Sequence, residues 1–555
     1  MEINFTRGFS QSRIVRFLEG LHFLERWKQV LSDWQQGKNL KINSIAGCSA
    51  VAFLACFALS IGTASAAELS PEKVKSALSG LEKVVNQTRQ KTGVPGIAIA
   101  VVHQDEVVYL KGFGVRQSGH PSSVNADTVF QLASVSKPIA TTVLAAMVGE
   151  GFIDWDDRVI DFDPGFRLRD PWVTREVTFR DLLCHRSGLP DHAGDLLEDL
   201  GYGQAEVFRR LRYLDTANNF RSQYAYTNFG FSEAGVAVAR AAGTTWEDLC
   251  ADKLYRPLGL NSTSSRFADF ESAENRALLH VRVDGKWVAK HVRDPDAQSP
   301  AGGVSSTVRD MAQWMRLQLA EGQFDGKQIV AAAALDETHR PQIVSRPPQN
   351  PATDRAGWYA LGWNVSYNDG GRIMLGHSGA FDMGAATVVN LLPAENLGIV
   401  VLTNAAPIGA AEAIAASYLD LVQTGKVERD WLKFFTGLIE STAEPATDYS
   451  QRPTEESPPL SAESYVGTYR NSYFGEIEVS NRKGALQLSM GPKQTLFPLR
   501  HRDRDVFIYK PAGEMASGLS AVTFRIGTNL QATTVTVENL DINGLGTFSR
   551  SPSEK

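Results

Sequence analysis

Metal-ligating spacings are missing from this chain. Its four cysteines, Cys48, Cys56, Cys184 and Cys250, form no CxxC pair, and its ten histidines include no HExxH. Zinc-finger and zincin chemistry are thereby set aside, and no metal or other cofactor is expected. An excess of positive charge is missing too: 56 Lys and Arg stand against 62 Asp and Glu, a formal net charge of −6. That leaves no basic footprint for nucleic acid. What is present, 43% hydrophobic and 21% charged residues, is an ordinary globular balance. At 555 residues the chain exceeds what one core holds, so two or more domains are expected.

Long uncharged runs are scarce, which makes the one at residues 45–64, IAGCSAVAFLACFALSIGTA, informative. It follows Lys38 and Lys41 and ends in Ala64-Ser65-Ala66. It reads as a secretory signal cleaved after Ala66; the competing reading is an uncleaved membrane anchor, since the run is just long enough to span. Residues 1–38 are unusual ahead of a signal, with Ile14, Phe17, Leu18, Leu21 and Leu24 on one side of an amphipathic helix. Translation from Leu40 would leave a compact signal. The expected location is therefore outside the cytoplasm, periplasmic or secreted, with membrane contact only if 45–64 is retained. After cleavage Cys184 and Cys250 remain, and sequence does not supply the distance that decides whether they pair.

Four segments follow: 1–66 as extension and signal, 67–440 as a first folded domain, 441–460 as linker, and 461–555 as a second domain. A helix runs from Pro71 to near Gly93, and PGIAIAVVHQDEVVYLKGFGV reads as a hairpin turning at HQDE. Helical and loop sequence fills roughly 130–350. The strand-like runs GRIMLG, GAATVVNLLP and LGIVVLTN come after it. Strands at both ends with helices between predict an antiparallel sheet in an α+β layout. The stretch STAEPATDYSQRPTEESPPLS is a solvated linker. Beyond it GEIEVS, ALQLSM, DVFIYK, AVTFRI and ATTVTVENL predict a small β-barrel or sandwich.

Three S-x-x-K matches occur. SPEK at Ser70 is better read as a helix cap, and SNRK at Ser480 as a turn between strands. SVSK at Ser134 stands at the mouth of a long apolar helix, with Lys137 one turn on and Pro138 in the first turn. Ile139, Val143, Leu144 and Met147 are expected to bury that helix. A serine needs its proton removed before it attacks, and a lysine kept neutral can remove it. YAYTNFGF supplies Tyr226 and Asn228; an ammonium beside the phenol favours the phenolate, so Tyr226 is a candidate base. GRIMLGHSGAFDMG supplies His377 and Gly379, on or just after a strand. Gly379 is expected to let substrate lie close along that strand. The Ala380 N–H is expected to pair with that of Ser134 over a developing oxyanion. HAG at His192 has the same letters without the strand context. GHSGA also approximates a G-x-S-x-G elbow with Ser378 as nucleophile, but the sequence after it is strand-like where an elbow needs a helix.

SVSK, YTN and HSG, in that order, resemble the serine β-lactamase and penicillin-binding-protein group, in particular its CubicO-like esterase and D-aminopeptidase branch. VPGIAIAVV, VTFRDLLCHRSGLP, LYRPLGLNST, PAGGVSSTVRDMAQW and GIVVLTN support the likeness, which covers roughly 75–425. YVGTYRNSYFGEIEV resembles the lipocalin-like barrel that follows the catalytic domain in some members. The resemblance implies Ser134 as nucleophile, Lys137 as its activator, Tyr226 as proton shuttle, and Asn228 as a substrate-carbonyl ligand or a holder of Lys137. His377 stands where typical β-lactamases carry the lysine of Lys-Thr-Gly, so a fixed cation for a substrate carboxylate is lost. Imidazole can carry charge there in mild acid. Esters, amides or D-amino-acid peptides are then the expected small-molecule or peptide substrates, ahead of penicillins. An acylation sensor with little turnover uses the same residues. HRSGL at 185–189 reads as a structural loop. Pocket walls are expected from loops 195–222 and 265–300, and from the barrel if it caps the cleft. Oligomeric state is not legible.

Overall fold

Ser70 caps the first described helix, Pro71–Thr92: its side chain accepts from the Lys73 N–H, Pro71 opens the first turn, and Gly93 closes the helix at φ +69°. In the computed structural model residues 69–552 are described, except 217–219, 368–370, 443–446, 452 and 517. The signal-type run at 45–64 and the helix read over 14–24 lie outside the described residues.

The expected hairpin forms strands Gly96–His103 and Glu106–Gly114, and the three later runs form Ile373–Phe381, Ala385–Leu392 and Leu397–Thr403. They meet in one antiparallel sheet of eight strands. Its order is Glu106–Gly114, Gly96–His103, Leu397–Thr403, Ala385–Leu392, Ile373–Phe381, Asn364–Tyr367, Gly357–Tyr359, Ile343–Arg346. The hairpin thus pairs with a strand 300 residues away, Ile99 opposite Val401. Gly96–His103 is buried along its whole length because both faces are covered. Ile97, Ile99 and Val101 join one apolar cluster with Leu81, Val85, Ile414 and Tyr418, from helices Pro71–Thr92 and Ala410–Thr424. Ala98, Ala100 and Val102 join another with Val143 and Trp314. Each fully buried Ile, Val or Leu contributes about 1.5–3 kcal/mol to that layering. Helix Ser136–Gly149, in the second cluster, is buried from Ser136 through Met147, more completely than a one-sided helix would be.

The second domain is a nearly closed barrel of nine antiparallel strands where sequence patterning shows five. Gly467–Asn471, Thr495–Pro498, Arg500–Asp503 and Thr547–Arg550 escaped notice because they are short and polar or proline-bearing. The first strand, Gly467–Asn471, pairs with the last, Thr547–Arg550, and the two edge strands are separated in sequence by Leu499 alone. Tyr465, Tyr469, Phe507, Phe524 and Phe548 fill the interior. From Leu69 onward the described residues fold as one compact unit. Cys184 and Cys250 are buried and both free, so no disulfide joins them. Among the described residues no helix is long and apolar enough to cross a membrane, and no cluster of His, Cys, Asp or Glu is suited to a metal.

Candidate active site

Ser134 lies in a single 3-10 turn, Ala133–Val135, that runs straight into helix Ser136–Gly149. Ala133 takes φ +48°, a left-handed conformation that costs a non-glycine residue energy, directly before the serine. Lys137, one turn on, is fully buried. Its Nζ lies 3.1 Å from Ser134 Oγ, 2.7 Å from Asn228 Oδ1 and 3.1 Å from the Ala301 carbonyl oxygen. Asn228 therefore holds the lysine, one of its two expected roles. Burial lowers the Lys137 amine to about 7, against the opposing pull of Asp195. Two of the three partners only accept hydrogen bonds. A neutral amine gives its two N–H groups to them and turns its lone pair to the Ser134 hydroxyl.

Tyr226 precedes helix Asn228–Ala241 and donates from its hydroxyl to Ser134 Oγ at 2.8 Å. The expectation that Lys137 favours its phenolate is corrected here. Burial dominates and raises the phenol well above its ordinary value. With Lys137 leaning to neutrality, no strong cation offsets that burial, so the pair favours a protonated phenol beside a neutral amine.

His377 and Gly379 point one way from strand Ile373–Phe381, and Ser378, between them, points the other. His377 is buried, its Nδ1 lies 2.6 Å from the Ser378 carbonyl and its Nε2 2.9 Å from the Tyr359 hydroxyl. Nδ1 carries the proton and Nε2 accepts from the tyrosine. Burial, then the nearby Lys137, pushes the imidazole down to about 3, so it does not act as a cation in mild acid. At Gly379 a Cβ would collide with the Leu132 carbonyl and Thr387 Oγ1 and lie 2.9 Å from Ser134 N, so the missing side chain makes room for the nucleophile's own turn. Thr387 Oγ1 donates to Leu132 O at 2.7 Å and staples the same turn to the next strand. Ala380, exposed, follows directly on the same strand. At Ser378 the strand simply continues, and the elbow geometry is not there.

Three residues that sequence reading set aside or overlooked belong to this site. His192, dismissed as a decoy, has its ring 5.8 Å from that of Tyr226, and its backbone N–H donates to the Tyr226 carbonyl. Asp195, unremarked in the sequence, accepts from Asn228 Nδ2 at 2.9 Å and sits 2.8 Å from His192 Nδ1. His185 of HRSGL is fully buried under Tyr226, and its Nδ1 accepts from the Thr227 N–H at 3.1 Å. The loop is structural, as read, and it braces the tyrosine. Nothing in composition or spacing ties Asp195 to Asn228; the fold alone does.

The barrel borders the same region. Tyr473 accepts from the Gly194 N–H at 3.0 Å, and Asp199 accepts from the Glu514 and Met515 N–H groups, each at 2.8 Å. Glu514 in turn accepts from the Asp382 N–H, just past the strand that carries Gly379, and lies 3.3 Å from Arg293, which also pairs with Glu198.

Comparison with known proteins agrees with this architecture. A family profile described as Beta-lactamase matches residues 81–423, and a domain of unknown function, DUF3471, matches 451–546. Unguisins hydrolase ungD' of Aspergillus campestris is 26% identical over 412 residues, covering 71% of this chain and 75% of that one. Penicillin-binding protein 4 of Amycolatopsis lactamdurans is 28% identical over 336 residues, 57% of this chain and 82% of its own. The structure of the octameric penicillin-binding protein homologue from Pyrococcus abyssi aligns with a TM-score of 0.55 at 21% identity, over 83% of this chain and 98% of that one; the likeness is one of fold.

Proposed function

The chain belongs to the Beta-lactamase family of serine hydrolases and penicillin-binding-protein relatives, and on that footing we propose that it cleaves esters or amides through an acyl-enzyme on Ser134. The observation that carries this is the set of contacts at Lys137 Nζ, two acceptor-only oxygens and the Ser134 hydroxyl, which leaves a neutral amine its lone pair for that hydroxyl. The neutral amine takes the Ser134 proton as Oγ attacks the carbonyl carbon. The backbone N–H groups of Ser134 and Ala380 hold the oxyanion. Tyr226 donates its proton to the leaving group, is reprotonated from the Lys137 ammonium, and the pair then serves water in deacylation. The protons titrate as a coupled set.

Small esters and D-amino-acid peptides or amides, as in the CubicO-like branch, are the proposed substrates, with β-lactams turned over weakly. The neutral, hydrogen-bonded His377 supports that order, because it offers a substrate carboxylate no cation. The barrel is proposed to be of the lipocalin-like kind, with an interior filled by aromatic rings. Export through the segment at 45–64 remains part of the proposal.

The test is p-nitrophenyl butyrate hydrolysis by the wild type and by Ser134→Ala. Turnover by the first and none by the second is expected. Equal rates would remove Ser134 as nucleophile. A stable adduct on Ser134 without turnover would replace the hydrolase with an acylation sensor.

A further inference from the structure

A continuous hydrogen-bonded path leads from a half-exposed imidazole to the nucleophile. His192 Nδ1 meets Asp195 Oδ2 at 2.8 Å, and Asn228 Nδ2 donates to that same oxygen at 2.9 Å. Asn228 Oδ1 then accepts from Lys137 Nζ at 2.7 Å, and Nζ reaches Ser134 Oγ at 3.1 Å. We propose that Asp195, backed by His192, is a positioning pair for the nucleophile: its carboxylate fixes which way the Asn228 amide points and lends its negative charge to Lys137. The proposal rests on the Ser134–Lys137 reading above.

The two ends of an amide differ chemically, one donating and one accepting. With an acceptor-only carboxylate on its outer side, Asn228 must turn its NH2 outward and its oxygen to the lysine. A flipped amide would set oxygen against carboxylate and NH2 against amine, losing both contacts. Asp195 is held there by the packing around it. Gly194, at φ +97°, admits no side chain between Phe229 and Val207, and the barrel's Tyr473 accepts the Gly194 N–H. Its Oδ1 is buried with no hydrogen-bond partner from the protein, so the carboxylate's protein hydrogen bonds all fall on the oxygen shared by His192 and Asn228.

The charged and titratable groups around Asp195 are Lys137 and Tyr226 inward, His192 and Asp191 outward, Glu198 and Asp199 along its own helix, and Tyr473 from the barrel. The hydrogen bond to Asp195 raises His192, so the imidazolium partly cancels the carboxylate as Lys137 senses it. Removing either partner therefore moves Lys137 in opposite directions. Asp195→Asn keeps an oxygen for both hydrogen bonds but loses the charge that holds the ammonium, so Lys137 deprotonates at lower pH. His192→Asn leaves the carboxylate uncompensated, so Lys137 deprotonates at higher pH.

The experiment uses an alkyl fluorophosphonate on the full chain. Ser134 Oγ bonds to phosphorus, fluoride leaves, and the hydroxyl proton passes to Lys137; mass spectrometry reads the labelling rate at Ser134 against pH. In Asp195→Asn the acid limb is expected to move down by about one pH unit with its plateau within about threefold of wild type. In His192→Asn it is expected to move up by a few tenths of a unit. Asp195→Ala, which frees the amide to flip, is expected to lower the plateau at least about tenfold. A limb that stays put in both asparagine variants while Ser134 still labels overturns the positioning pair alone. No labelling of Ser134 in the wild type overturns the underlying reading and the pair with it.

Discussion

Gly379→Ala tests most directly how the sheet and the nucleophile depend on one another. The added methyl would point to the same side as His377, into the turn that carries Ser134, where it meets the Leu132 carbonyl, Thr387 Oγ1 and Ser134 N. Two of those three atoms are backbone, so no flexible side chain can swing away. The methyl also wedges into the bond from Thr387 Oγ1 to Leu132 O. Overpacking of this kind costs about 1–3 kcal/mol, and loss of the hydrogen bond adds about 1. The cheaper relief is a shift of the turn itself, which moves Ser134 away from Lys137 and Tyr226. A displacement near 1 Å in a reacting group costs about 10²-fold in rate. The expected result is a folded protein with a lower unfolding midpoint and kcat/KM for p-nitrophenyl butyrate down about 10²-fold. Ser378→Ala, on the other face of the strand, serves as control and is expected to keep its activity. A Gly379→Ala protein with wild-type kcat/KM would refute the reasoning, since the turn would then tolerate the methyl without moving.

Two further predictions follow from buried titratable groups. With the neutral Lys137 amine as the proposed base, held near 7, kcat/KM is expected to rise with pH through about 7 and to fall tenfold per unit well below it; Lys137→Met is expected to lose about 10²–10⁴ in rate while folding at least as stably as wild type, as rate assays and thermal melts together will show. Glu514 is raised to about 7 chiefly by burial, so the folded state favours its protonated form: the stability it supports is full below the ordinary carboxyl value near 4.5 and is lost as pH rises through about 7. Glu514→Gln should therefore flatten the fall in melting temperature between pH 5 and 8, and an unchanged profile would remove Glu514 as its source.

Much of the fold is legible because burial writes itself into composition. IAIAVV and GIVVLTN are apolar without alternation because both faces of their strands are covered, and the pairing of two such runs so far apart is the natural way to bury both. The barrel's count was underestimated for the converse reason. Arg500–Asp503 is an edge strand made of RHRD, stabilised by pairing and not by an apolar face. Ser134 and Lys137 were legible from their one-turn spacing at a helix mouth, and Tyr226 and Asn228 joined them through the resemblance of SVSK, YTN and HSG to a known family. Their protonation was not, since it depends on burial. The same phenol that an adjacent ammonium would ionise is kept protonated when desolvation also neutralises the ammonium.

His192 shows why letters alone mislead in both directions. HSG at 377 and HAG at 192 were separated by context, strand against loop, and the strand copy was chosen as the one that faces the chemistry. Both do, in different ways. His377 is a neutral strut, pinned by Tyr359 and its neighbour's carbonyl. His192, on a loop, is the histidine whose partners favour charge. The cation lost from the third motif is thus not replaced where it was lost. Positive charge near the nucleophile is favoured instead on the Tyr226 side, where Asp195 first and then Asp191 pull the His192 imidazole upward. A substrate carboxylate reaching for that imidazolium must compete with two carboxylates already beside it, whereas a substrate amine would be welcomed by Asp191, the more exposed of the two. That charge placement is the ground on which neutral esters and amine-bearing amides are proposed ahead of the carboxylate-bearing ring of a penicillin.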